Sequence, residues 1–152
     1  MLILAFDNET HRFDEACQTP PPICLSYCEI VQRPNVALTA GFRYELGRSD
    51  VLPFFRGRGV ALDALHAWLK LAAAGEALLI GARTAYDVLT SVVGAYFRDE
   101  AFGRELFRLF VAAYDRNCIT DVFGRQKLLD LACGCYRYEY HGTGKPTFHG
   151  YS

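Results

Sequence analysis

The apolar residues of this chain change their period once, and that change limits the chain to folds mixing strands and helices. The first third carries three strand-like runs, residues 1–6, 23–32 and 36–44, separated by Pro20-Pro21-Pro22 and by Arg33-Pro34-Asn35. The second connection is short enough for a hairpin. After a glycine-rich, basic loop at 47–59, segment 61–73 places Leu62, Leu65, Leu69 and Ala72 on one helical face, and Gly75 stands where a helix C-terminus turns. Residues 77–80 then read as a short buried strand and Thr84 as an N-cap. Segments 85–96 and 100–114 read as helices, 118–122 as a strand and 124–133 as a last helix. Three strands followed by alternating helix and strand predict an α/β domain with a mixed sheet and flanking helices.

The 152 residues, 51% of them hydrophobic, suffice for one core, which predicts a single domain over 1–133. Residues 134–152 lose periodicity and are rich in Gly, Tyr and His, so they read as an irregular C-terminal tail. A formal net charge of -1 gives no general attraction to a polyanion, so nucleic-acid contact would rest on a local basic patch or on metal ions. The longest apolar stretches, 77–80 and 106–113, fall far short of a bilayer span, and no basic flank precedes the first run. The expectation is a cytoplasmic protein with no membrane partner. Six cysteines without a secretory signal read as reduced thiols. Cys24 and Cys28, four residues apart in a strand, share a face and read as small buried apolar residues. Cys133, Cys135, His141 and His149 lack a usual zinc spacing and read as a loop. No phosphate loop or G-x-G-x-x-G follows a strand, which argues against nucleoside triphosphates and dinucleotide cofactors.

The chemistry concentrates at the end of the first run, where Asp7 and Glu9 follow Phe6 at i, i+2. That spacing puts both carboxylates on one face of a strand, a seat for hard divalent ions such as Mg²⁺ or Mn²⁺. Taken alone, the pair reads first as a strand followed by a polar, solvated turn. Asp87 falls in the first turn of the 85–96 helix, where a carboxylate either stabilises the helix start or faces the edge carrying Asp7 and Glu9. Arg48, Arg56 and Arg58 form a solvated loop or a phosphate track. Tyr136, Tyr138, Tyr140 and Phe148, with Arg137 and Lys145 among them, read as a collapsed tail, a docking surface or a base-stacking platform.

Taken in order, four motifs resemble the 3′–5′ exonuclease domain of the DEDD superfamily, and in particular the proofreading domain of bacteriophage family A DNA polymerases. The D-x-E-T motif matches Phe6-Asp7-Asn8-Glu9-Thr10. The second motif resembles Leu79-Ile80-Gly81-Ala82-Arg83-Thr84-Ala85-Tyr86-Asp87. A strand with an Asp-Thr pair is similar to Thr120-Asp121-Val122, and an R-x-K-L-L-D helix to Arg125-Gln126-Lys127-Leu128-Leu129-Asp130. The resemblance implies a ribonuclease H-like mixed β-sheet and a two-metal site of Mg²⁺ or Mn²⁺ on the catalytic carboxylates Asp7, Glu9 and Asp87. It also implies substrate contacts from Thr10, Arg83 and Tyr86. The implied reaction is release of 3′-terminal nucleotides from single-stranded or frayed 3′ ends of DNA, in the host cytoplasm for a phage-encoded chain.

Two departures qualify it. Ala82 and Arg83 stand where many members carry a motif with Asn, and an arginine there either binds a substrate phosphate or repels a metal. The third motif, Tyr- or His-x-x-x-Asp, is missing: Tyr114 is followed four residues on by Cys118, and Tyr136 by Tyr140. The expectation is therefore a domain whose C-terminal element and fourth carboxylate are missing; Asp121 and Asp130 are the internal candidates to replace that carboxylate, and both read first as structural. Such a chain is a weak, Mn²⁺-favoured nuclease, or a non-catalytic DNA- or protein-binding remnant, or a subunit completed by a polymerase domain or another C-terminal partner polypeptide.

Overall fold

A computed structural model describes residues 1–10, 22–34, 42–54, 59–122, 125, 138–141 and 145–148. The first apolar run becomes β1 (Leu2–Thr10), the middle strand of a five-stranded sheet. On one side β1 pairs antiparallel with β2 (Pro22–Pro34), which pairs antiparallel with β3 (Phe42–Pro53). On the other side it pairs parallel with β4 (Ala77–Gly81), which pairs parallel with β5 (Ile119–Asp121). The order β3-β2-β1-β4-β5 makes a mixed sheet in which β2 alone is reversed relative to β1.

Three helices, α1 (Gly59–Ala74), α2 (Thr84–Tyr96) and α3 (Glu100–Asp115), flank the sheet. The helical face expected at Leu62, Leu65, Leu69 and Ala72 is buried. It continues a core that runs from Leu4, Phe6, Leu25 and Leu79 of the sheet to Val88 of α2 and Leu106 of α3. Apolar burial of this kind contributes roughly 25 cal/mol per Å² of surface removed from water, so this one continuous cluster is what holds helices to strands. Trp68 closes its edge with ring centroids 6.4 Å from Phe6 and 5.0 Å from Tyr27. Gly75, at φ +82°, ends α1 in the left-handed region that glycine adopts without penalty. Asp99 caps α3, its side chain accepting the backbone N–H of Phe102 at 3.0 Å. Among the described residues, no helix is long and apolar enough to cross a membrane.

Several boundaries differ from expectation. β1 continues through Asp7 and Glu9 to Thr10 instead of ending at Phe6, because both carboxylate positions still pair with β2. The third strand lies at Phe42–Pro53, so part of the expected 47–59 loop is strand. Its residues 43–51 are all exposed at the sheet edge, which removes the alternation that would announce a strand. It is held by its backbone ladder, with surface pairs Arg43–Glu45 at 3.1 Å and Arg33–Glu45 at 3.5 Å each worth only about 0–1 kcal/mol. The tail contains a two-stranded antiparallel sheet, β6 (Tyr138–His141) and β7 (Lys145–Phe148), where an irregular segment was expected. The predicted 124–133 helix lies outside the described residues except for Arg125, as do Arg56, Arg58, Cys133, Cys135, Tyr136, Arg137 and His149.

Candidate carboxylate site

Because β1, β4 and β5 run parallel, their carboxyl ends meet at one edge of the sheet, the edge where open α/β sheets commonly bind ligands. Asp7 and Glu9 lie near that end of β1, and Asp121 ends β5 opposite Gly81, the last residue of β4. The strand pleat separates the D-x-E triplet: Asp7 and Glu9 are exposed while Asn8 between them is buried. The two carboxylates therefore share a face, as their spacing predicts.

The turn from β4 into α2 brings the third carboxylate to this edge. A Cβ on Gly81 would stand 2.9 Å from the Phe6 carbonyl oxygen and 2.9 Å from Thr84 Oγ1, so the glycine permits a close approach that a side chain would block. Thr84 is the first residue of α2 and not its N-cap. Arg83 occupies the cap position without a side-chain cap bond, and the Thr84 hydroxyl donates to the Thr120 carbonyl at 2.7 Å, tying α2 to β5. A second tie runs to β1, where Asn8 Nδ2 donates to the Asp87 carbonyl oxygen and, at 2.6 Å, to Ser91 Oγ. Between the two ties sits Asp87, 4% exposed.

Its surroundings raise the Asp87 pKa from 3.8 to about 7. Burial is the largest cause, followed by the negative charges of Asp7 and Asp121; Arg83 lowers it, and Glu9 adds a smaller upward push. A shift of that size corresponds to about 4 kcal/mol against the ionised form. The α2 N-terminus favours a carboxylate by only about 0.3–1 kcal/mol, up to ~2 when partly buried, so burial and repulsion prevail. Asp87 Oδ2 is buried and has no hydrogen-bond partner among the described residues.

The structure thus brings Asp7, Glu9 and Asp87 into one electrostatic neighbourhood and adds Asp121, one of the two internal candidates for the fourth carboxylate. Arg83 is exposed beside them, Tyr86 is half-buried, and Thr10 is half-buried at the end of β1, just past a register shift. Among the described residues, no group of three or more His, Cys, Asp or Glu side chains stands close enough to hold a metal ion. The donor chemistry fits a hard divalent ion, since every candidate is a carboxylate and a buried Asp87 oxygen is unbonded; the carboxylates do not close on a single point. Beside Asp7, on the same face, a groove of about 510 Å³ is lined by Ala5, Ser26, Cys28, Ile80 and Ala82. Cys24 and Cys28 are half-buried free thiols on that face, opposite Glu9 and Ala5, more exposed than their expected core role. Comparison with family models, curated proteins and solved structures finds no match to this chain.

Proposed function

We propose that this chain is a metal-dependent nuclease domain of the 3′–5′ exonuclease type, built on a ribonuclease H-like sheet. The observation that carries the reading is the burial of Asp87 within the combined field of Asp7, Asp121 and Glu9, three of these four carboxylates standing on separate elements at one sheet edge. Gathering such charges costs stability that a bound cation would offset, and strongly perturbed carboxylates cluster at functional sites. The sheet order, with only β2 reversed, supports the same reading.

Asp7, Glu9 and Asp87 would hold Mg²⁺ or Mn²⁺, with Asp121 as the further negative charge. Divalent ions bound there supply a water of lowered pKa and stabilise a departing 3′ oxygen. Arg83 would offer its guanidinium to a substrate phosphate, and Thr10 and Tyr86 are the further substrate contacts of this reading. The groove beside Asp7 gives a terminal nucleotide of a single-stranded or frayed DNA end a place to lie.

One observation favours the alternative of a binding domain that does not cleave, or a subunit completed by a polymerase domain or another polypeptide: the described carboxylates do not converge on one point. Degradation of a 5′-labelled single-stranded DNA oligonucleotide in Mn²⁺, Mg²⁺ and EDTA, with Asp7→Ala alongside, separates the two. A metal-dependent ladder shortening from the 3′ end and lost in the variant supports the nuclease. Retention of the oligonucleotide without cleavage, unchanged by Asp7→Ala, supports the binding domain.

A further inference from the structure

Asn8 is the middle residue of the D-x-E triplet and the most constrained of its three side chains. It is 8% exposed between two exposed carboxylates and faces α2 while they face away. Its amide nitrogen spends both hydrogens on α2, one on the Asp87 carbonyl oxygen and one on Ser91 Oγ. The Ser91 hydroxyl in turn donates to the same Asp87 carbonyl at 2.9 Å, closing a ring of three bonds among β1 and the first two turns of the helix. The amide orientation follows from the Asp87 carbonyl, which can only accept: turned over, Asn8 would set an oxygen against it and lose that bond, although the Ser91 hydroxyl could still donate to the oxygen. In the present orientation Oδ1 is buried without a partner among the described residues, a cost the fold bears to keep the two donors aimed at α2.

We propose that Asn8 is a positioning residue that fixes the first turn of α2, and with it Asp87, against the strand carrying Asp7 and Glu9. The inference rests on the reading of these carboxylates as one site. Thr84 secures the same turn to β5, so the helix start is held from two strands, and Asn8 alone of the two bonds the peptide of Asp87 itself. An aspartate at position 8 would match the shape and lack the donors; an alanine would leave the Asp87 carbonyl to the helix and the hydroxyls of Thr90 and Ser91.

The test uses the full chain as wild type, Asn8→Ala and Ser91→Ala, with two readouts below the unfolding midpoint of each protein. The first is amide hydrogen exchange without metal. In Asn8→Ala, exchange over residues 84–91 of α2 should accelerate about tenfold relative to the sheet, the equivalent of one buried hydrogen bond. In Ser91→Ala, which keeps the bond from Asn8 to the Asp87 carbonyl, the acceleration should be about two- to threefold. The second readout is Mn²⁺ affinity by electron paramagnetic resonance, which should fall about tenfold in Asn8→Ala, as loss of an outer-shell support typically does. Uniform acceleration across the whole sheet, or unchanged exchange over 84–91 in a folded Asn8→Ala, overturns the proposal. Were Asn8→Ala unable to fold, Ser91→Ala decides: local acceleration sustains the lock and its absence overturns it. A wild type that binds no Mn²⁺ removes the metal reading, while the exchange comparison still decides whether Asn8 holds the turn.

Discussion

Asp87→Asn isolates the electrostatic cost of the site, because it removes the charge and leaves the backbone carbonyl that Asn8 and Ser91 engage. In the folded chain Asp87 keeps its proton up to about pH 7, whereas the unfolded chain releases it near pH 3.8. Below pH 3.8 both states carry the proton and the group costs nothing. As pH rises towards 7 the unfolded state ionises and the folded state does not, so folding loses about 1.4 kcal/mol per pH unit from this residue until the loss levels off above pH 7. Between pH 5 and pH 7 the wild type should therefore lose about 2 kcal/mol relative to Asp87→Asn, or about 4–8 °C in unfolding midpoint for a domain of this size. The asparagine amide brings its own desolvation cost, roughly 1–3 kcal/mol where unbonded, but that offset is the same at every pH. The assay is urea unfolding of both proteins in metal-free buffer at half-unit steps from pH 5 to 8. A stability difference flat across that range, or one in which the wild type gains on the variant as pH rises, would refute the reasoning.

Three other outcomes follow from the same geometry. At pH 8, millimolar Mn²⁺ should raise the wild-type unfolding midpoint, by the equivalent of about 2.7 kcal/mol once the ion reaches a hundred times its dissociation constant. Asp7→Ala should lose most of that gain in a thermal-shift titration, and equal gains in both proteins would place the ion elsewhere. Gly81→Ala should cost about 1–3 kcal/mol in urea unfolding, since the new methyl meets the Phe6 carbonyl and Thr84 Oγ1 at 2.9 Å; an unchanged midpoint would mean the turn yields freely. Leu65→Ala, a wholly buried residue of α1, should cost about 2–5 kcal/mol without altering Mn²⁺ affinity in the protein that remains folded.

What the sequence made legible was whatever depends on period and spacing. The α1 face at Leu62, Leu65, Leu69 and Ala72 repeats at helical intervals and is buried, and the i, i+2 spacing of Asp7 and Glu9 fixes their common face from strand geometry alone. β3 was misplaced because an exposed edge strand needs no apolar alternation; its pairing partner, which no local pattern encodes, decides where it lies. The sequence offers Asp121 only as one of two candidates, read first as structural, because its proximity to Asp87 comes from β5 joining β4 in register with Gly81, a contact between residues forty positions apart. Asn8 gave no signal at all. Its role exists only because α2 returns to lie against the face of β1 opposite the carboxylates.

Asp87 itself shows why position along a helix was insufficient to assign a role. In the first turn of α2 an aspartate ordinarily stabilises the helix start, and a residue placed there for that purpose is exposed or has both oxygens bonded. Asp87 is buried, one of its oxygens lacks a partner among the described residues, and its neighbours Asp7, Asp121 and Glu9 all oppose its charge. The helix terminus returns at most ~2 kcal/mol against a burden of about 4, so helix stabilisation does not account for an ionised carboxylate at this position. Arg83 eases the burden from the rim without cancelling it. A divalent cation bound nearby would reverse the balance, since its charge would offset the carboxylates that now repel Asp87. The same arrangement that weakens the metal-free fold above pH 5 is the one from which a hard cation gains most.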